Sequence, residues 1–272
     1  MKNDGIINYE KRLIAFIDLL GFKNAVNKTA DGTIEGYNIK NNIDKIMNFN
    51  EGVQKINENS ANAQIVNAET NERQPLTKTK ITFFSDSMII SMPVDDKYYE
   101  QFLTKIVMFS TEYAKQGFLV RGGMTFDKLC HTGNICYGPA MNKAYILEST
   151  VANYPRIVVD NKAVKELGEI GKKFIVADKM DNMYILDYLY SKKCVHANNK
   201  YKKEKQEKEL NKILNDLTEI KNNVDKNITK HKDNERILIK YQWYKNYYND
   251  TVKKVEKDFS QPENYLNSYL IK

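Results

Sequence analysis

The chain has 272 residues, of which 42% are hydrophobic and 28% charged, and it contains only 12 Gly and 5 Pro. This composition is typical of a folded globular protein and excludes a disordered, fibrous or collagen-like chain. The net charge is +7, and +5 of it falls between Lys200 and Asp258, where 16 basic and 11 acidic residues alternate. Alternating charges indicate a solvated helical face, so the charge by itself does not indicate a nucleic-acid-binding protein.

Simple patterns disfavour two further classes of protein. No apolar run approaches the roughly 18 residues that cross a bilayer, and the N-terminal sequence MKNDGIINYEKR lacks the apolar segment of a secretory signal. The three cysteines, Cys130, Cys136 and Cys194, have no CxxC spacing, which argues against a disulfide framework and a zinc site. We therefore predict a cytoplasmic protein with neither a membrane nor a nucleic acid as partner.

Strand-like and helix-like segments alternate over the first two thirds of the chain. In chain order, the patterns predict a strand at 12–18, a helix over 23–57, a loop over 58–79, a hairpin of strands 80–84 and 88–92, and a helix over 95–115. They then predict a strand at 118–125 interrupted by Gly122 and Gly123, a strand at 134–137, helices over 139–149 and 161–167, and strands at 156–159 and 183–188. This order favours an α+β domain with βαββαβ connectivity, which we place at residues 8–195.

The remaining residues, 196–272, have a different pattern. Apolar side chains recur there at intervals of four and three residues in two groups, separated by a polar break at 230–234: Ile213, Leu217, Ile220 and Val224, then Ile237, Tyr241, Tyr244 and Tyr248. This spacing predicts two amphipathic helices that form an αα-hairpin. The aromatic cluster, which also includes Trp243 and Tyr247, is interpreted as a packing surface and not as a platform for stacking bases.

Two acidic residues carry the strongest chemical signal. Asp18 ends the first predicted strand, and Asp86 lies in the turn of the predicted hairpin. If these strands are neighbours, both carboxylates meet at one edge of the sheet, where they suit Mg²⁺ or Mn²⁺ and two-metal phosphoryl transfer. The backbone N–H groups of Leu20, Gly21 and Phe22, at the start of a helix, would then suit a polyphosphate. The alternative is that Asp18 caps the helix and Asp86 is an ordinary turn residue.

Four segments resemble the motifs of the class III nucleotidyl cyclase domain. They are FIDLLGF at 16–22, FFSDSMII at 83–90 with Ser85 where the family usually has Gly, VRGGMTFDK at 120–128 and GPAMNKAYILEST at 138–150. The resemblance covers about residues 10 to 190. RGGM, the GPA segment and YPRI at 154–157 are more similar still to the bacterial pyrimidine cyclases of the Pycsar antiphage systems.

The resemblance implies a ferredoxin-like βαββαβ cyclase domain and a defined reaction. The enzyme would convert CTP or UTP to cyclic CMP or cyclic UMP and pyrophosphate, as a second messenger in antiphage defence that a cyclic-nucleotide-sensing effector detects. Two Mn²⁺ or Mg²⁺ ions per site would be held by Asp18, Asp86 and the carbonyl of Leu19. Leu20 to Phe22 would bind the β- and γ-phosphates.

The same resemblance implies a head-to-tail homodimer with composite active sites. Lys128 would bind the triphosphate and Asn142 would orient the ribose, both from the partner subunit. The family's transition-state arginine is replaced by Ile146, and Arg156 is the candidate substitute, with a structural ion pair as its alternative role. Thr82 and Ile135 occupy the base-reading positions and reproduce no purine reader, which favours a pyrimidine.

Two other functions stay open. The first is a catalytically inactive cyclase-like module that binds nucleotide or a partner, which the substitution of Ile146 for arginine would suit. The second is a purine or dinucleotide cyclase, although dinucleotide-forming enzymes usually carry two adjacent acids in the hairpin and Asp86 is flanked by serines. His131 lies close to these motifs and is interpreted as a strand-end histidine bonded to its surroundings, with a general base as the alternative.

Overall fold

The computed structural model describes residues 9–66, 71–190 and 203–272, which form a mixed α+β structure. The strands are β1 (Glu10–Leu19), β2 (Gln64–Val66), β3 (Arg73–Pro75), β4 (Lys80–Phe84), β5 (Ser87–Pro93), β6 (Val120–Thr132), β7 (Ile135–Tyr137), β8 (Ile157–Val159), β9 (Ile175–Ala177) and β10 (Tyr184–Leu186). The helices are α1 (Phe22–Thr29), α2 (Ile34–Asn62), α3 (Tyr99–Lys115), α4 (Pro139–Ile146), α5 (Asn161–Gly171), α6 (Lys203–Lys230) and α7 (Glu235–Asp258).

The chain divides into two compact units, each made of three segments. The first unit contains the chain up to Leu19, Met47–Ile106 and Arg121–Leu186. The second contains Leu20–Ile46, Val107–Val120 and the chain from Asp187 onward. The predicted boundary between residues 195 and 196 lies outside the described residues and stays a prediction.

The sheet of the first unit is mixed, with strand order β4-β5-β1-β6-β8-β10-β9 and β7 paired to β6. β1 pairs antiparallel with β5, which pairs antiparallel with β4, whereas β6 and β8 are parallel. When the small β2–β3 hairpin is set aside, the chain runs through β1, the helices α1 and α2, then β4, β5, α3 and β6. The elements therefore follow a βαββαβ succession, with β1 between β5 and β6.

The central position of β1 follows from its apolar sequence. Leu13, Ile14, Ala15 and Ile17 are all almost completely buried, so side chains on both faces of the strand are covered. Continuous apolar runs of this kind are typical of strands that are buried on both faces. Ile14 and Phe16 belong to a core cluster with Ala140 and Ala144 of α4. The helix α4 is therefore packed on the strand that carries Asp18 near its end.

The second unit contains the predicted helical hairpin. α6 and α7 are joined at residues 231–234, and the side chain of Asn234 caps α7 by accepting a hydrogen bond from the N–H of Ile237. Ile213, Leu217, Ile220 and Val224 are all buried, as their spacing predicted. Trp243, Tyr244 and Tyr248 are buried, and the Tyr248 hydroxyl donates to the Leu217 carbonyl at 3.0 Å. These three members of the aromatic cluster therefore form a packing surface.

Three predicted elements were wrong in extent. The helix expected over 23–57 is two helices, because α1 ends at Thr29 and the chain passes through Gly32 in a left-handed conformation (φ 65°) before α2 begins at Ile34. The loop expected over 58–79 contains the end of α2 and the β2–β3 hairpin, whose short exposed strands have no apolar alternation. The strand expected at 118–125 is β6, which continues without interruption to Thr132.

Two other sequence features have plain outcomes. Cys130 and Cys136 are free thiols, whereas Cys194 lies outside the described residues. Within residues 9–66, 71–190 and 203–272, no helix is both long enough and apolar enough to cross a membrane.

Candidate functional site

The structure brings Asp18 and Asp86 together at one end of the β1–β5 pair. Asp18 lies opposite Ser87 in the strand register, and the Ser87 hydroxyl donates to Oδ1 of Asp18 at 3.1 Å. The backbone N–H of Leu19 donates to the carbonyl oxygen of Asp86 at 3.1 Å. The turn that carries one acid is therefore bonded directly to the strand end that carries the other.

The charge of Asp18 is poorly compensated. The pKa of its carboxyl is raised to about 6, chiefly by burial and then by the negative charges of Asp86 and Glu148, against the opposing effects of the Ser87 hydrogen bond and the Arg121 charge. Like charges that meet in a half-buried place favour protonation of one of them, or a bound cation. The electrostatics of this edge therefore suit a positively charged ligand.

The turn between β4 and β5 has an unusual backbone conformation at Ser85. Ser85 has a φ of 52°, in the left-handed region that residues with a Cβ rarely adopt. Glycine adopts this region without a steric penalty, which accounts for the Gly that the cyclase motif usually has there. The chain thus keeps the backbone conformation of a glycine turn although it has a serine at this position.

Sequence reasoning assigned no role to Arg121 or Glu148, which lie close to Asp18. The Nε of Arg121 donates to Oε1 of Glu148 at 2.6 Å, and a second bond forms through Nη2. Glu148 is only 3% exposed and lies in the π-helical turn Leu147–Val151 that follows α4. Arg121 lies in the RGGM motif and Glu148 lies in the GPAMNKAYILEST motif. Their positions in these motifs were the sequence signal that could have identified them.

The two glycines after Arg121 allow its strand to approach its neighbours. A Cβ on Gly122 would lie 2.7 Å from the carbonyl oxygen of Phe16 in β1. A Cβ on Gly123 would lie 2.3 Å from the carbonyl oxygen of Ala144 and 2.4 Å from Cβ of Leu147. These distances are far below van der Waals contact, so only glycine fits. The glycines therefore do not interrupt β6; they bring β1 and the Glu148 turn against it.

The residues at this edge fit a hard cation with few protein ligands. Among the described residues, no three His, Cys, Asp or Glu side chains come together in a way that could hold a metal ion. Mg²⁺ is commonly bound through one or two carboxylates, with water and phosphate as its other ligands. Asp18 and Asp86 are two such carboxylates. Leu19, whose carbonyl is the third predicted ligand, directly follows Asp18 and is the buried last residue of β1.

Arg156 is placed away from the role proposed for it. Its side chain is 1% exposed, and its guanidinium donates to Asp178 at 2.5 Å and to Asp181 at 2.6 and 3.0 Å. These two carboxylates occupy both terminal nitrogens. The geometry therefore supports the alternative interpretation of Arg156 as a structural arginine in a buried ion pair.

Thr82 belongs to a buried polar network. Its hydroxyl is 2.9 Å from Nε2 of His131, whose Nδ1 is 2.7 Å from the hydroxyl of Ser91. The Nε of Arg12 donates to the same serine at 3.0 Å. The pKa of His131 is lowered to about 4, chiefly by burial and also by the charges of Arg12 and Lys80. A neutral, hydrogen-bonded His131 agrees with the structural interpretation of this residue.

The other predicted substrate residues lie in different places. Ile135 in β7 is 63% exposed, and Lys128 in β6 and Asn142 in α4 are also exposed. In the second unit, Gly21 has a φ of 80° and directly precedes α1, whose first residue, Phe22, is buried. The N–H of Leu20 donates to the carbonyl of Leu119 at 2.9 Å. That amide is therefore engaged in the protein and is removed from the predicted phosphate donors.

Comparisons with known proteins add no family to this description, since no protein-family model matches the chain and no curated protein matches it.

Proposed function

We propose that the chain is a metal-dependent nucleotide cyclase that acts on CTP or UTP. The observation that carries the proposal is the meeting of Asp18 and Asp86 at adjacent strand ends, with a mutual repulsion that suits a cation. The βαββαβ succession and the strand order β4-β5-β1-β6 support a ferredoxin-like class III cyclase domain. The resemblance of the four motifs provides the reaction type.

The reaction needs positioning and charge neutralisation more than covalent chemistry. The ribose 3′-hydroxyl releases its proton to solvent and its oxygen forms a bond to the α-phosphorus, while the bond from that phosphorus to the β-phosphate oxygen breaks and pyrophosphate leaves. Asp18 and Asp86 would hold two Mn²⁺ or Mg²⁺ ions, which supply positive charge to the attacking and leaving oxygens. Arg121, whose charge already acts on Asp18, is the cation that we propose in place of Arg156.

The proposed preference for a pyrimidine base and the proposed dimer depend on two different pairs of residues. The Thr82 hydroxyl is bound to His131 and Ile135 is apolar, so neither offers the polar partner that a purine reader needs. Lys128 and Asn142 are exposed, as residues given to a second subunit must be. We therefore keep the head-to-tail homodimer with composite sites, in which Gly21 and Phe22 bind the phosphates of the substrate.

The biological role follows from the product. A cyclic pyrimidine nucleotide is a diffusible signal, and a cytoplasmic enzyme that makes it in antiphage defence requires an effector that binds it. The catalytically inactive module is the second candidate function. It is favoured by the absence of arginine at Ile146, together with the engagement of Arg156 by Asp178 and Asp181.

A product assay separates these functions. The full chain is incubated with ATP, GTP, CTP or UTP and Mn²⁺, and products are identified by mass spectrometry. A cyclic pyrimidine mononucleotide from wild type, absent with Asp18→Asn and retained with the control Asp44→Asn, is the expected result. Nucleotide binding without any product would establish the inactive module, and a purine or dinucleotide product would establish the other cyclases.

A further inference from the structure

The second unit contains a cavity whose charged and aromatic residues have no part in the proposed cyclase chemistry. Its volume is about 1100 Å³, and its walls come from α1, the first part of α2, residues 116–119, α6 and α7. Cavities that bind organic ligands are typically roughly 300–1,000 Å³. The cavity is therefore large enough for a ligand of nucleotide size.

Charged side chains give this cavity a positive potential. Four lysines and a single acid, Glu35, line it, the lysines being Lys28, Lys226, Lys230 and Lys240. Lys28 binds Glu35 at 3.1 Å and Lys230 binds the same carboxylate. These two lysines lower the pKa of Glu35 to about 2. The pKa of His231 is lowered mainly by burial and also by the charges of the same two lysines. The lysines outnumber the acid that they surround, so the cavity suits an anion.

Aromatic and amide groups line the same cavity. The rings of His231 and Tyr241 are nearly parallel, with an interplanar angle of 9° and centroids 6.3 Å apart. Both residues are half-buried, so their rings are partly covered and partly accessible. Asparagine amides can donate and accept hydrogen bonds, as sugar hydroxyls and base edges require, and six line the cavity: Asn24, Asn27, Asn38, Asn42, Asn223 and Asn227.

Phosphate-binding cations, a flat aromatic surface and amides together match the three parts of a nucleotide. Lysines bind phosphate as point charges, and bases stack on aromatic rings irrespective of their identity. We propose that this cavity is a second nucleotide site, in which Lys226 and Lys230 bind the phosphates and Tyr241 with His231 contacts the base. Glu35 is the sole acidic residue among the lining residues, so this site holds its ligand without a divalent metal.

The new site is distinguishable from the acid pair by its independence from metal. The cavity shares Leu20 and Gly21 with the segment predicted to bind the substrate phosphates, but its charged and aromatic residues come from other parts of the chain. The experiment therefore uses the full-length Asp18→Ala/Asp86→Ala variant in EDTA, which removes the metal-dependent site. ATP is titrated by calorimetry, and inorganic triphosphate is titrated as a probe without a base.

Charge and stacking are then tested separately. Lys226→Glu/Lys230→Glu, added to that background, is expected to weaken binding of both probes at least tenfold. Lys212→Glu, an exposed residue of the same helix outside the cavity, is the matched control and should leave binding unchanged. Tyr241→Ala is expected to weaken ATP by about tenfold and inorganic triphosphate by less than twofold. Circular dichroism confirms that each variant is folded.

Several results would overturn the proposal. They are the absence of ATP binding in EDTA, binding that survives the double charge reversal, and an equal loss with Lys212→Glu, which would indicate unspecific charge attraction. An equal loss of affinity for both probes with Tyr241→Ala would show that Tyr241 does not contact the base. None of these results bears on whether the wild-type protein forms a cyclic nucleotide with Mn²⁺, so the two proposals fail independently.

Discussion

The backbone N–H of Leu19 donates a hydrogen bond to the carbonyl oxygen of Asp86, 3.1 Å away. This bond joins the strand end that carries Asp18 to the turn that carries Asp86 through main-chain atoms alone. Changes to the two carboxylates therefore leave the link between the segments in place. The acids can be neutralised without removing the contact that brings them together.

Asp18→Asn and Asp86→Asn are each expected to reduce cyclic nucleotide formation by about 100-fold or more, because the cation loses a charged ligand. Mn²⁺ should raise the melting temperature of the wild type by several degrees and that of each variant by much less. Scanning calorimetry with and without Mn²⁺ measures the shift, with Asp44→Asn as the control.

The same variants carry an internal check on folding. Without metal near pH 7, Asp18→Asn should melt above the wild type, because a carboxyl with a raised pKa destabilises the fold when it is ionised. A lower melting temperature together with lost activity would mean that Asp18 supports the fold and is not a metal ligand.

Gly123→Ala is expected to destabilise the first unit by about 1–3 kcal/mol, because the new Cβ would overlap Ala144 and Leu147. Activity should also fall, since the displaced turn carries Glu148. Gly52→Ala is the matched control: a Cβ there meets nothing within 4 Å, and alanine in the interior of α2 should stabilise by about 1 kcal/mol. Urea unfolding measures both, and equal effects of the two substitutions would contradict the close approach.

The buried network at His131 predicts a loss of stability in mild acid. Its folded pKa of about 4 lies below the ordinary value of 6.5, so the unfolded chain binds the proton more tightly. Its contribution is complete above pH 6.5 and is lost as pH falls toward 4, by about 2 kcal/mol between pH 7.5 and 5. Urea unfolding at both pH values should show this loss in the wild type and a smaller one in His131→Gln. Equal losses would assign the acid sensitivity to other groups.

Arg156→Met should cost about 3–5 kcal/mol of unfolding free energy, because it removes the cation that is paired with the buried carboxylate of Asp178. Lys172→Met, which breaks the exposed pair with Glu169, should cost less than about 1 kcal/mol. Turnover per folded molecule should survive Arg156→Met if the arginine is structural. A stable variant with abolished turnover would restore the catalytic role.

Local patterns predicted the elements that end at the acid pair. The apolar run of β1, the serine-flanked turn and the periodic faces of α6 and α7 each depend on neighbours within a few residues, and the structure confirms these elements. The strands β2, β3 and β9 were missed because three residues provide almost no periodicity, and the equally short β7, β8 and β10 were predicted with longer bounds than they have.

Tertiary pairings were beyond the same reasoning. The partners of Arg156 lie 22 and 25 residues further along the chain, on a segment with no motif. The position of Glu148 depends on how closely β6 approaches α4. Gly123 permits this close approach, but a glycine in the sequence does not by itself predict it. The catalytic role predicted for Arg156 was based on the missing family arginine at Ile146. The ion pairs of Arg156 depend instead on how the chain folds.

The interleaving of the two compact units affects how this protein can be divided. The chain passes from one unit to the other five times, so neither unit is a continuous stretch of sequence. A truncated gene that stops before α6 would deprive Leu20–Ile46 and Val107–Val120 of the helices that complete their unit. Excised halves are therefore poor reagents, and biochemical work on this protein calls for the intact polypeptide with point substitutions.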